Sequence, residues 1–314
     1  MADFKAVTVL LLKCSLMLGL IVVTYTILLY NCIDFDQNSY HAAILDKIKL
    51  LEVTPSPKLV FVGGSTLAFG LDSFMVKQAL GVPVVNMGLH ARLGLKFMLD
   101  QVQPSLNKGD IVVVVPEYDQ FTGNLFYGGW FLIENAVFTH NLRLLLSMPP
   151  LQFADNLLKL NRHIFDYNNQ ALRSSKIHSI YARNKFNSYG DMMGHLALPN
   201  QMYSKKYSVL SADINQASVQ YLHNFISTND NRGIITLVIY PSVARSYYIQ
   251  QEASITMISG ALRNKGIKIL SPPQDVIYDD DLFYDTYSHL NARGRKLRSE
   301  KIIQTLKVTI GGNN

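Results

Sequence analysis

The sequence predicts an α/β fold with a parallel sheet covered by helices on both faces. Three observations carry that prediction. Short continuous Val/Ile-rich runs recur along the chain, helical stretches separate them, and 48% hydrophobic against 17% charged residues permits a sizeable core. Continuous apolar strands are buried on both faces, which is how parallel strands with crossover helices read. The 314 residues suffice for one large domain or two small ones.

The elements follow in order. Leu16 to Tyr30 is an almost unbroken apolar run, extended upstream from Val7. That length is expected to form an N-terminal transmembrane helix within residues 1–33. Lys5 and Lys13 lie toward its start and Asp34 and Asp36 after it, so a cytoplasmic N-terminus and an exported C-terminal domain are expected. The rivals are a cleaved signal peptide, which wants small residues where Leu28-Leu-Tyr-Asn-Cys stands, and a buried core helix. Residues 34–57 read as a juxtamembrane amphipathic helix and linker, broken at Thr54-Pro-Ser-Pro57.

The main domain is expected over 58–314. Its strands are Lys58–Gly63, Val82–Met87, Asp110–Pro116, Gly233–Tyr240 and, more weakly, Gly266–Leu270. The helices are Ser73–Leu80, Gly94–Gln103, Ile214–Asn229, Ile249–Lys265 and Ala292–Leu306. Residues 120–212 interrupt the rhythm as a mostly helical insertion. It would lie over the carboxyl ends of the strands, where α/β proteins bind ligands, or serve only as a packing subdomain.

Charge and cysteine usage narrow the function. The net charge of +6 is modest, and the one basic cluster, Arg293, Arg295, Lys296, Arg298 and Lys301, reads as a solvated helix face. No recognition motif accompanies it, so no nucleic-acid partner is expected. Cys14 and Cys32 are the only cysteines, which leaves the main domain without disulfide, thiol nucleophile or zinc knuckle. Scattered histidines predict no metal and no cofactor.

Two distant segments carry chemistry. Leu59-Val-Phe-Val-Gly-Gly-Ser65-Thr66 runs a strand into a small-residue turn, where glycines allow close backbone approach. Asp285-Thr-Tyr-Ser-His289-Leu-Asn291 precedes the last helix. A serine hydroxyl needs a base, and His289 has Asp285 one turn earlier to hold its Nδ1–H. The competing reading makes Ser65 a helix cap and His289 a surface histidine. A phosphate-binding loop is disfavoured because Gly63-Gly64-Ser65-Thr66 is short and lacks the Gly-Lys-Ser/Thr ending. On the same rim, Tyr240-Pro-Ser-Val-Ala-Arg245-Ser-Tyr247-Tyr248 offers aromatics with an arginine; Tyr118, Arg245 and Tyr247 are candidate substrate contacts.

These segments resemble the SGNH (GDSL-like) hydrolase superfamily over about residues 58–120 and 233–306. The closest resemblance is to its membrane-anchored branch, the D-alanine-transfer and alginate-acetylation type proteins of bacterial envelopes. The resemblance implies a flavodoxin-like three-layer sandwich of strand order 2-1-3-4-5 and a nucleophile at Ser65. It implies an oxyanion hole from Ser65 and Gly88 (in Asn86-Met-Gly88), with Asp285 and His289 completing the triad. It further implies an O-acyl esterase or O-acyltransferase acting on an envelope polysaccharide, with an acyl donor, a glycan acceptor and a multi-pass membrane O-acyltransferase as partner. The chain departs from the family pattern twice. Three residues separate Asp285 from His289 where two are usual, and Val115-Pro116-Glu117-Tyr118-Asp119-Gln120 lacks the third-block Asn that donates to the oxyanion. Losing such a donor costs about 100-fold in rate or more. Tyr118 or backbone N–H groups alone would have to serve, or the domain is an inactive scaffold that binds glycan or organises a membrane complex.

Overall fold

The computed structural model describes residues 2–32, 37–171, 180–201 and 205–311. The chain forms two compact units, Met1–Asp36 and Gln37–Asn314. The first is a single helix, α1 (Ala2–Cys32). The expectation that it crosses a membrane is corrected. Among the described residues no helix is long and apolar enough to do so. Lys5 and Lys13 stand within the helix, and a charged side chain in a bilayer core is costly.

The second unit begins with α2 (Ala43–Val53), followed by β1 (Leu59–Gly63), α3 (Ser65–Gly70), α4 (Ser73–Leu80), β2 (Val84–Asn86), α5 (Leu95–Val102) and β3 (Ile111–Val115). After β3 comes the insertion, with 3-10 turns, α6 (Trp130–Phe138) and α7 (Pro150–Ala171). The chain then returns to α8 (Gln216–Asn231), β4 (Ile235–Val238), β5 (Val243–Ala244), α9 (Arg245–Asn264), β6 (Ile277–Tyr278) and α10 (Ala292–Gly311). The principal sheet is parallel, with four strands in the order β2-β1-β3-β4. This corrects the expected five-strand order. The fifth run is reduced to one parallel bridge, Ile269 to Val238, because only the Leu270 N–H continues the pairing, to the Val238 carbonyl at 3.0 Å. A small parallel pair, β5 with β6, lies outside the expected sheet.

Alternation along each strand divides the core in two. Val60, Val62, Val112, Val114 and Val238 pack with Leu51 of α2, Leu99 of α5, Leu222 of α8 and Leu262 of α9. Leu59, Phe61, Val113, Val115 and Leu237 pack with Val76 of α4 and Ile302, Ile303 and Leu306 of α10. Each such side chain contributes about 1.5–3 kcal/mol on full burial. The two clusters lie on opposite faces because successive strand residues point to opposite sides. Helices therefore sandwich the sheet, as the continuous apolar runs predicted.

Helix ends follow local chemistry. Asp72 caps α4 by accepting from the Met75 N–H at 3.0 Å, and Asn291 caps α10 by accepting from the Arg293 and Gly294 N–H groups at 3.1 Å. The basic cluster on α10 is only partly the solvated face expected of it: Arg293 and Lys296 are exposed and Lys301 half-buried. Arg295 and Arg298 are 4% and 1% exposed, and both turn inward to bond the segment 66–71. Gly63 of β1 pairs level with Val115 of β3, so the residues after both strands emerge at one rim.

Candidate active site

Two glycines shape the strand-to-helix turn. A Cβ on Gly63 would stand 2.6 Å from the Val115 carbonyl oxygen, and one on Gly64 would stand 2.4 Å from Glu117 Oε1 and 2.9 Å from the Ala91 nitrogen. Only glycine admits these approaches. Gly64 occupies the cap position of α3 and Ser65 opens the helix, so Ser65 is not the capping side chain. Half-buried, Ser65 makes no side-chain hydrogen bond among the described residues. Its neighbour Thr66 is held from two sides. The Thr66 N–H and hydroxyl both donate to Glu117 Oε1, and its carbonyl accepts from Arg298 Nη1 at 2.5 Å.

His289 is 8% exposed, in the loop before α10. Its Nδ1 lies 2.9 Å from Asp285 Oδ1, so the three-residue spacing still closes the pair. Tyr181 joins them from the insertion: its hydroxyl donates to Asp285 Oδ2 and sits 3.2 Å from His289 Nδ1. Burial pushes the Asp285 carboxyl up, but the hydrogen bond and charge of His289, with the Tyr181 hydroxyl, hold it below the usual aspartate range. That balance keeps Asp285 ionised and able to fix the imidazole tautomer. His289 Nε2 has no hydrogen-bond partner among the described residues.

Phe69 links the two ends of the chain. One turn after Ser65 on α3, its ring stacks on His289 with centroids 3.9 Å apart and planes 9° from parallel. Sequence reasoning missed Phe69 and Tyr181. Neither carries a motif, and each acts through a contact between segments more than 100 residues apart.

The other expected contacts divide. Gly88 packs beneath α3, and its N–H is committed to Asn86 Oδ1 at 2.8 Å. The N–H groups of Ser65 and Ala91 make no hydrogen bond among the described residues. Tyr118 is buried against Tyr240, with ring centroids 5.9 Å apart. Arg245 is turned to Asp279, 2.9 Å away. Tyr247 does face a cavity. That cavity, 550 Å³ in volume, is lined among others by Arg92, Asp119, Tyr207, Asp285, Thr286 and Tyr287. Glu117, in the segment that lacks the third-block Asn, is buried and accepts from the Thr66 N–H and hydroxyl. Burial raises its pKa, against the opposing Thr66 hydrogen bonds and the charges of His289 and Arg298.

No family model and no curated protein matches the chain. Among solved structures it is similar to a "putative lipolytic protein of G-D-S-L family" from Desulfitobacterium hafniense DCB-2. That similarity is 12% identity over 80% of this chain and 100% of the other, with a TM-score of 0.39. It is also similar to an acetyl xylan esterase from the rumen bacterium Butyrivibrio proteoclasticus, at 9% identity over 82% of this chain and 65% of that one, with a TM-score of 0.33.

Proposed function

We propose that the protein is a serine hydrolase of the SGNH type that cleaves or transfers an O-acyl ester. The observation that carries this reading is the Phe69 stack. It brings the helix that Ser65 opens against the His289–Asp285 pair, from opposite ends of an α/β domain. In the proposed cycle Ser65 Oγ attacks the ester carbonyl carbon while His289 Nε2 takes its proton. The tetrahedral oxyanion collapses, the C–O bond breaks, and the alcohol leaves with the proton returned by His289. Water, or an acceptor hydroxyl, then attacks the acyl-serine by the same proton route. Asp285 and Tyr181 hold the imidazole. The oxyanion is received by the N–H groups of Ser65 and Ala91, since the Gly88 N–H is already bonded. The substrate class proposed with it is an O-acylated polysaccharide of the cell envelope.

Turnover of an acetyl-ester reporter tests the reading. Ser65→Ala is expected to lose about 10⁴-fold or more in kcat, with an unchanged thermal midpoint and no fluorophosphonate labelling. Equal turnover in that variant overturns it. A second reading, an inactive scaffold of the same fold, is favoured by the missing third-block Asn and by the buried carboxyl in its place. Silence of the wild-type protein toward the fluorophosphonate probe selects that reading.

A further inference from the structure

The segment that lacks the third-block Asn acts on the nucleophile turn through other contacts. Glu117 accepts from Thr66, and Gln120 Nε2 donates to the Ala91 carbonyl at 3.0 Å. Gln120 thereby props residues 89–91 against the turn that carries Ser65. The Leu89 N–H donates to the Gly63 carbonyl at 3.4 Å, and a Cβ on Gly64 would stand 2.9 Å from the Ala91 nitrogen and 3.0 Å from its Cα. His90 sits in the middle of this short segment, immediately before the Ala91 N–H that receives the oxyanion in the proposed cycle. Its imidazole has no part in that cycle.

Two contacts fix the ring and its proton. His90 Nδ1 accepts from the Arg92 N–H at 3.1 Å. A backbone N–H can only donate, so the neutral ring carries its proton on Nε2. Phe131 of α6 stacks on the ring with centroids 4.0 Å apart and planes 22° from parallel, and Trp130 stacks in turn on Phe131 at 3.8 Å. Burial, with the nearby charges of His41, Arg92 and His289, pushes the imidazole well below its ordinary pKa and keeps it neutral. Nε2 makes no hydrogen bond among the described residues and is open to solvent. A nitrogen that already bears a proton cannot take one from Ser65, so His90 is not a second general base. A neutral N–H donor, fixed in direction beside the nucleophile, suits a developing oxyanion.

Resting on the hydrolase reading, we propose that His90 is a catalytic residue whose Nε2–H donates to the tetrahedral oxyanion, beside the Ala91 N–H and in place of the third-block Asn. As Ser65 Oγ bonds to the carbonyl carbon, the C=O π pair moves onto the oxygen and is met by this donor. The pair returns when the C–O bond to the alcohol breaks. His90 gives a hydrogen bond and keeps its proton throughout, so the proton traffic remains that of His289. The donor has thus passed from the segment after β3 to the segment after β2, and Gln120 supports it from behind.

Turnover of the acetyl-ester reporter by the full-length protein tests this, with two variants that separate the donor from the ring. His90→Phe keeps a ring for the stack on Phe131 and removes the donor. Its kcat is expected to fall about 100-fold or more, with KM within about twofold of wild type and an unchanged thermal midpoint. His90→Gln loses the ring and keeps an amide N–H at similar reach. It is expected to turn over about tenfold faster than His90→Phe, or more. A role in packing alone gives the reverse order. Turnover in His90→Gln that is equal to or slower than in His90→Phe overturns the proposal, and so does wild-type turnover in His90→Phe. If the wild type neither cleaves the ester nor labels with fluorophosphonate, the hydrolase reading fails and the role of His90 fails with it. If Ser65→Ala is inactive while His90→Phe is fully active, only the role of His90 fails.

Discussion

Two aspartates with buried carboxyl oxygens are treated in opposite ways. Asp191, in the insertion, is 0% exposed and fully engaged. It accepts from the Ser73 N–H at 3.0 Å, the Ser73 hydroxyl at 2.5 Å, Asn86 Nδ2 at 2.8 Å and Arg295 Nη2 at 3.1 Å. Those partners come from α4, β2 and α10, so one carboxylate ties the insertion to three elements of the sandwich. Asp119 borders a cavity, and its Oδ1 is sealed from solvent with no hydrogen-bond partner among the described residues. A satisfied buried network specifies a structure, whereas an unsatisfied one signals a place where stability has been conceded. The same division runs through the rim. Thr66 is clamped by Glu117 and Arg298, while the Ser65 hydroxyl beside it makes no bond among the described residues.

Substitutions can break or sharpen this contrast. The largest expected effect is at Asp191. Asp191→Ala strands Arg295 without its buried partner and should destabilise the fold by about 3–5 kcal/mol in urea unfolding. An unchanged midpoint would mean that the network is not structural. Ala91→Pro comes next. Ala91 is the first residue of a short 3-10 turn and His90 before it is extended, so proline is tolerated there while the N–H is removed. Turnover of the acetyl ester should fall about 100-fold or more in kcat, with little change in thermal midpoint. Unaltered turnover would assign the oxyanion to other donors.

The smallest effect is at Asp119, and its sign reverses that of Asp191. The folded protein holds the Asp119 carboxyl at about 7 against the ordinary aspartate value of 3.8, so it binds a proton that the unfolded chain has released. Stability is therefore lost as pH rises from about 4 through 7. Asp119→Asn escapes that loss. Its thermal midpoint should match wild type near pH 4 and exceed it above pH 7, by an amount equivalent to about 1–3 kcal/mol. A variant less stable than wild type at pH 8 would place Asp119 among the structural groups.

Much of the scaffold could be read from residue order alone. Continuous Val/Ile runs fixed β1, β3 and β4, because a strand buried on both faces has no polar alternation. The Gly63-Gly64-Ser65 turn announced itself through glycine, and the Asp285–His289 pair through one-turn proximity. The membrane-spanning expectation for α1 failed, and the fifth strand shrank to a bridge at Ile269.

Local pattern thus determined the sandwich, the strand-tip serine and the paired imidazole, since each depends on neighbours within a few positions. Only the tertiary structure decided that Phe69 would cover His289, that Tyr181 would share Asp285, that Arg295 and Arg298 would turn inward, and that Asp119 would face a cavity. Those outcomes depend on which distant surfaces meet when the sheet closes against its helices, and no short stretch of sequence encodes such a meeting.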